Sequence, residues 1–167
     1  MTGVTAYVAL GANLDDPVAQ VRAGMSALAA LPRTRLVAQS SLYRTAPVGY
    51  ADQPDFINAV AAVETQLSAR ELLDTLLATE QRHGRVREFA NAPRTLDLDV
   101  LLYGDSQVHE DGLTVPHSRM HERAFVLVPL AEIAPHCVIP GRGTVQALLR
   151  GMDVSGVVRI DTPAAVA

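Results

Sequence analysis

The chain contains no lysine; all 14 of its Lys+Arg residues are arginine. That excludes a P-loop lysine, a Schiff-base lysine and a lysine general base within these 167 residues. Any phosphate must be met by guanidinium forks, backbone amides or metal, and arginine is no proton acceptor under ordinary conditions. Cysteine is almost as scarce: Cys137 stands alone, so an internal disulfide or a cysteine zinc cluster cannot be built, and a reducing cytoplasm is the expected compartment. Positive charge is not in excess either. With a net charge of -4 and a pI near 5.7 the chain as a whole attracts neither nucleic acid nor anionic membrane, so a bound polyanion needs a local basic patch. No central strand carries an aromatic RNA-binding signature. The apolar stretch Phe125 to Leu130 is far too short to span a bilayer, and no basic region followed by a long apolar run opens the chain. The expectation is a soluble, unexported protein. A hydrophobic content of 49% over this length suits one domain, 1–167, with a real core, no linker and no internal repeat.

Along the chain, Thr5 to Leu10 reads as a buried strand that runs into a turn at Gly11-Ala12-Asn13. Asp16-Pro17 reads as an N-cap with proline at the first helical position, and Val18, Val21, Met25 and Leu28 follow at helical spacing until Pro32. Leu36 to Tyr43 predicts a second strand. A long loop with two prolines and a glycine runs from Arg44 to Pro54, and loops of that length in compact domains are often functional. Phe56 to Val63 predicts a third strand with Phe56, Asn58, Val60 and Ala62 on one face, where the amide of Asn58 needs backbone or ligand partners. Ser68-Ala69-Arg70-Glu71 matches a capping box and opens a helix through Leu72, Leu73, Leu76, Leu77 and Glu80, with Gly84 as its stop. Arg82, Arg85 and Arg87 suit a helix C-terminus electrostatically, yet Arg85 and Arg87 lie beyond the glycine, in a loop leading to Arg94.

From Leu96 to Tyr103 the residues first alternate apolar and acidic and then become apolar, which predicts a strand with one end emerging from the core. Asp97 and Asp99 then share a face about 6.5–7 Å apart, and two carboxylates so placed repel unless a cation or proton intervenes. Such hard oxygens suit Mg²⁺, which takes one or two carboxylates and completes its shell with water and phosphate. A solvated acidic face on an edge strand is the alternative. The neighbouring Arg94 sets an anion-binding group beside the acids. Downstream, Val108 to Val115 reads as irregular extended pieces, and His117, His121 and Arg123 either lie on the surface or serve a phosphate site. Ala124 to Ile133 is an apolar run broken by Pro129, Thr144 to Leu149 a short helix, Val157 to Ile160 a final strand and Pro163 to Ala167 a frayed tail. The order strand, helix, strand, strand, helix, strand over residues 5–103 predicts an α+β, ferredoxin-like split βαβ fold. That means a four-stranded antiparallel sheet, both helices on one face, and a C-terminal elaboration.

Several blocks together resemble 6-hydroxymethyl-7,8-dihydropterin pyrophosphokinases. They are Gly84-Arg85-Val86-Arg87, Pro93-Arg94-Thr95-Leu96-Asp97-Leu98-Asp99, Leu113-Thr114-Val115-Pro116-His117 and Asp52-Gln53-Pro54-Asp55-Phe56-Ile57-Asn58-Ala59. Gly11-Ala12-Asn13-Leu14 and Tyr43-Arg44-Thr45 fit as well. The resemblance implies transfer of diphosphate from ATP to the pterin hydroxymethyl group with release of AMP, in folate biosynthesis. It implies that Asp97 and Asp99 ligate two Mg²⁺ ions, and that Arg85 and Arg94 stabilise phosphate charge. It places Glu80, Arg87, His117 and Arg123 with the nucleotide and Thr45, Pro47, Val48, Phe56, Asn58 and Phe125 with the pterin, two aromatic rings sandwiching the flat heterocycle. A monomer acting on small molecules, without nucleic acid or membrane partners, is implied. Two departures stand out: Phe89-Ala90-Asn91-Ala92 is one residue shorter than the family's loop and lacks its tryptophan, and Phe56 stands where tyrosine is common.

Overall fold

β1 (Val4–Ala12) is an interior strand of the sheet, with apolar residues on both of its faces. Ala6, Val8, Leu10 and Ala12 are buried on one side, while Tyr7 and Ala9 pack into a second cluster on the other. The structure, a computed structural model, describes residues 3–14, 16–46, 53–83 and 96–161. The expected helix stop at Gly84, the loop Phe89 to Ala92 and the tail from Pro163 lie outside the described residues.

α1 (Pro17–Ala29) begins as expected, with Asp16 Oδ1 accepting the backbone N–H of Ala19 and proline in the first turn. It buries Val21, Gly24, Met25 and Leu28. Gly24 is a contact position: a Cβ there would stand 3.1 Å from both Leu10 Cδ2 and Leu96 Cδ1, so the helix lies close against the sheet. The expected single strand from Leu36 to Tyr43 is two strands, β2 (Thr34–Gln39) and β3 (Leu42–Thr45), each antiparallel to β4 (Phe56–Thr65). The break falls at Ser40-Ser41, where the Ser40 hydroxyl accepts the Val60 N–H at 2.9 Å and donates to Ser41 O at 2.8 Å. A side chain has there taken over a ladder hydrogen bond, and the strand is interrupted.

The capping box at α2 (Ala69–Arg82) is complete: Ser68 Oγ accepts from Glu71 N at 3.1 Å and Glu71 Oε1 accepts from Ser68 N at 2.9 Å. β5 (Asp97–Tyr103) then pairs antiparallel with β1. The sheet has six strands rather than four, because the expected second strand is split into β2 and β3 and because β10 (Val158–Asp161) joins the edge at β3; the order is β10-β3-β4-β1-β5 with β2 also on β4. The segment expected to be irregular is a hairpin of β6 (Val108–Glu110) and β7 (Leu113–Val115), and β8 (Val138–Ile139) pairs with β9 (Gly143–Thr144).

Leu72 and Leu76 of α2 join the α1 residues on the face of Val8 and Leu10. The opposite face is covered by α3 (Ala124–Ile133) and α4 (Val145–Leu149), whose Val126, Leu127, Leu130 and Val145 pack with Val60, Leu101 and Leu102. α3 continues through Pro129 to Ile133. The architecture is a mixed α/β one with an antiparallel sheet and, among the described residues, four α-helices. No described helix is long and apolar enough to cross a membrane.

Candidate active site

The site is laid out by register. Gly11 of β1 pairs with Asn58 of β4 on one side and with Asp97 of β5 on the other, and Ala9 likewise lies between Val60 and Asp99. Directly paired residues of neighbouring strands share a face. Asn58, Gly11 and Asp97 therefore form one row across the sheet and Val60, Ala9 and Asp99 the next. Leu96, Leu98 and Val100 point into the core on the other face, which leaves Asp97 and Asp99 half-buried toward a cavity. The floor of that cavity is Ala9 and Gly11, and its walls carry Thr45, Phe56, Asn58, Asp97, Asp99, His117, Arg123 and Phe125. Eight of the residues singled out from the sequence thus come together from five separate parts of the chain.

Several of the wall residues are held by contacts with one another or with the sheet. Asn58 is only 7% exposed, and its Nδ2 donates to Thr45 Oγ1 at 2.7 Å. Arg123 lies 5.5 Å from the centre of the Phe125 ring, a cation–π arrangement at the start of α3. The His117 backbone N–H donates to Leu101 O at 2.9 Å, which docks this segment onto the outer edge of β5. Its ring Nδ1 accepts the Arg119 N–H at 3.2 Å, so in the neutral ring Nε2 carries the proton. Burial and the nearby Arg123 lower the His117 pKa from its usual 6.5, while Asp97 pulls the other way. The imidazole at this site is disposed to stay neutral and to donate.

Glu80 stands apart. Sequence reading sets it beside the nucleotide, whereas its carboxylate is 1% exposed and accepts the Leu98 N–H at 2.7 Å, behind the strand that bears the acids and outside the cavity lining. Pro47, Val48, Arg85, Arg87 and Arg94 lie outside the described residues.

Three features were not found by sequence reasoning. Asn13 is 2% exposed and its Nδ2 donates to Gln53 Oε1 at 2.7 Å and Pro54 O at 3.0 Å, which ties the end of β1 to the segment entering β4. An asparagine directly after an apolar strand was the available signal. Glu132 of α3 accepts from Ser41 N at 2.8 Å, Ser41 Oγ at 2.7 Å and Tyr43 OH at 2.8 Å, with Arg159 at 3.6 Å. It anchors the helix that carries Phe125 to the strand that carries Thr45. Of the small residues of the floor, Gly11 belongs to the Gly11-Ala12-Asn13-Leu14 block of the resemblance without having been given a role, and Ala9 gave no signal beyond ordinary strand composition.

The comparisons with known proteins agree with this geometry. The family model for 7,8-dihydro-6-hydroxymethylpterin-pyrophosphokinase (HPPK) matches residues 7–135. The 2-amino-4-hydroxy-6-hydroxymethyldihydropteridine pyrophosphokinase of Haemophilus influenzae is 48% identical over 147 residues, covering 88% of this chain and 92% of that protein. The enzyme of the same name from Pseudomonas aeruginosa is 48% identical over 154 residues, covering 92% and 95%. Among solved structures, an HPPK-DHPS in complex with substrates aligns with a TM-score of 0.72 at 13% identity, over 89% of this chain and 43% of that one. Wild-type Plasmodium falciparum HPPK-DHPS with STZ-DHP also gives 0.72 at 13% identity, over 90% and 43%. The chain thus spans less than half of those larger proteins, and at such identity they speak for the fold alone. The family match and the two bacterial relatives decide the matter: the chain belongs to the 7,8-dihydro-6-hydroxymethylpterin-pyrophosphokinase family.

Proposed function

We propose that this protein transfers the diphosphate of ATP to the hydroxymethyl group of 6-hydroxymethyl-7,8-dihydropterin, releasing AMP, as a step of folate biosynthesis. The observation that carries the reading is one cavity lined by Phe56, Asn58 and Phe125 together with Asp97 and Asp99, with Gly11 between Asn58 and Asp97 across the sheet. In this assignment Phe56 and Phe125 stack on the heterocycle while Asn58 reads its polar edge, and Thr45, Pro47 and Val48 belong to the same pterin site. The hydroxymethyl oxygen attacks the β-phosphorus, the bond to the α,β-bridging oxygen breaks with its electron pair going to AMP, and the hydroxyl proton ends in solvent.

Asp97 and Asp99 fit two Mg²⁺ ions as their holders: both are hard oxygen donors on one face, and no described cluster of three or more His, Cys, Asp or Glu offers a softer or fuller ligand set. Bound Mg²⁺ would polarise the phosphates and offset their charge. His117, Arg123 and Arg87 orient the nucleotide, and Arg85 and Arg94 are assigned to the phosphate charge that builds during transfer. Glu80 supports the site from behind, through Leu98. The β1-α1-β2/β3-β4-α2-β5 core is read as ferredoxin-like. The protein is proposed to act as one domain, a cytoplasmic monomer. The deciding experiment supplies ATP, Mg²⁺ and the reduced pterin and separates AMP from ADP. Stoichiometric AMP and pterin diphosphate are expected; ADP, or AMP formed equally without pterin, overturns the reading.

A further inference from the structure

We propose that Gly11 is a positioning residue for substrate recognition, required as glycine because a side chain there would push the Asn58 amide out of its binding plane. This rests on the proposed role of Asn58 at the heterocycle. A Cβ built on Gly11 would lie 3.1 Å from Asn58 Oδ1 and 3.8 Å from Ile57 O, and beyond its chain neighbours nothing else among the described residues comes within 4 Å. The backbone does not call for glycine, since Gly11 is regular β1 paired on both sides and is absent from the positive-φ residues. Its lack of a side chain therefore matters through Asn58. That amide has little room to yield: it is 7% exposed, its Nδ2 is held by Thr45 Oγ1 at 2.7 Å, and its Oδ1 rests over Gly11. Pressure from below turns the amide plane toward the cavity, where both Gly11 and Asn58 form part of the lining.

Asn58 and Asp97 flank Gly11 in the same row, so about 9–10 Å of sheet separates the Cα atoms of the residue that the added side chain would press and of the acid row, which the change leaves in place.

The test is a double-mutant cycle of Gly11→Ala and Asn58→Ala, read as pterin Kd by titration and as Kd for a non-hydrolysable ATP analogue with Mg²⁺. Gly11→Ala is expected to weaken pterin binding about tenfold, in keeping with the cost of misplacing a recognition group by a fraction of an ångström, and to leave nucleotide binding within about twofold. In the Asn58→Ala background, where the opposing oxygen is gone, adding Gly11→Ala should change pterin binding by less than about twofold. This comparison stands even if the single Gly11→Ala variant fails to fold. Unchanged pterin affinity in a folded Gly11→Ala protein, or a further large loss in the double variant, overturns the proposal. Wild-type protein that binds no pterin refutes instead the assignment of Asn58, a distinct outcome.

Discussion

The carboxylate of Glu80 in the last turn of α2 accepts the backbone N–H of Leu98, the residue between Asp97 and Asp99, at 2.7 Å. β5 is the last strand of the sheet on that side, and Leu98 N–H faces away from its partner β1. An edge amide buried without an acceptor costs about 1–3 kcal/mol, so Glu80 both satisfies it and fixes the backbone on which the two acids stand. Glu80→Ala should lower stability by about 2 kcal/mol in urea unfolding and raise the Mg²⁺ concentration needed for half-maximal rate. Glu80→Gln keeps an oxygen acceptor and should recover most of both; equal defects in the two variants would show that the hydrogen bond to Leu98 is not what matters.

Removing either carboxylate tests the metal assignment. Asp97→Ala and Asp99→Ala should each lower kcat by at least about 10³-fold, since the ion holds several kcal/mol of transition-state charge stabilisation. Both side chains line the cavity and not the hydrophobic core, so melting temperatures should stay close to that of the parent. Near-parental turnover in both variants removes the metal role.

Asn58→Ala deletes a buried amide that Thr45 also depends on. Pterin KM is expected to rise by about 10- to 100-fold, the scale of one buried hydrogen bond to a ligand, with the KM for MgATP nearly unchanged. An equal rise in both would place Asn58 outside the pterin side of the cavity.

The His117 ring titrates below its usual 6.5 because burial and Arg123 disfavour the charged form more than Asp97 favours it. The unfolded chain therefore takes up the proton first as pH falls. Stability should be unaffected above pH 6.5, fall as pH drops from there toward the lowered folded-state value, and level off below it. Comparing urea midpoints of the parent and His117→Gln across that window isolates the contribution, and superimposable pH profiles would contradict it.

Glu132 is the acceptor for three donors of β3 and its approach: Ser41 N–H, Ser41 Oγ–H and Tyr43 OH. Burial alone would raise its pKa, but these hydrogen bonds and Arg159 bring it below the ordinary value, and the Tyr43 phenol is pushed up to about 12 by burial and by Glu132. Glu132→Ala should cost about 2–3 kcal/mol, because Ser41 is fully buried and its donors would be stranded. The same variant should weaken pterin binding more than nucleotide binding, since α3 and β3 carry Phe125 and Thr45. The ratio of the two KM changes checks this.

Local chemistry decided a good deal by itself. The Asp16-Pro17 start of α1, the Ser68-Glu71 box of α2, the alternation that sets Asp97 beside Asp99 and the exclusion of lysine chemistry all depend on neighbours within a few residues, so the amino-acid order contains them. The break at Ser40-Ser41 does not follow from local pattern, because it needs Val60 as partner, and the sixth strand needs the edge of β3. Likewise nothing near Glu80 in sequence announces that its carboxylate will meet Leu98, and nothing near Gly11 announces Asn58 and Asp97 on its two sides. Those relationships are set by strand order and register, which join residues dozens of positions apart and exist only once the sheet has closed over its core.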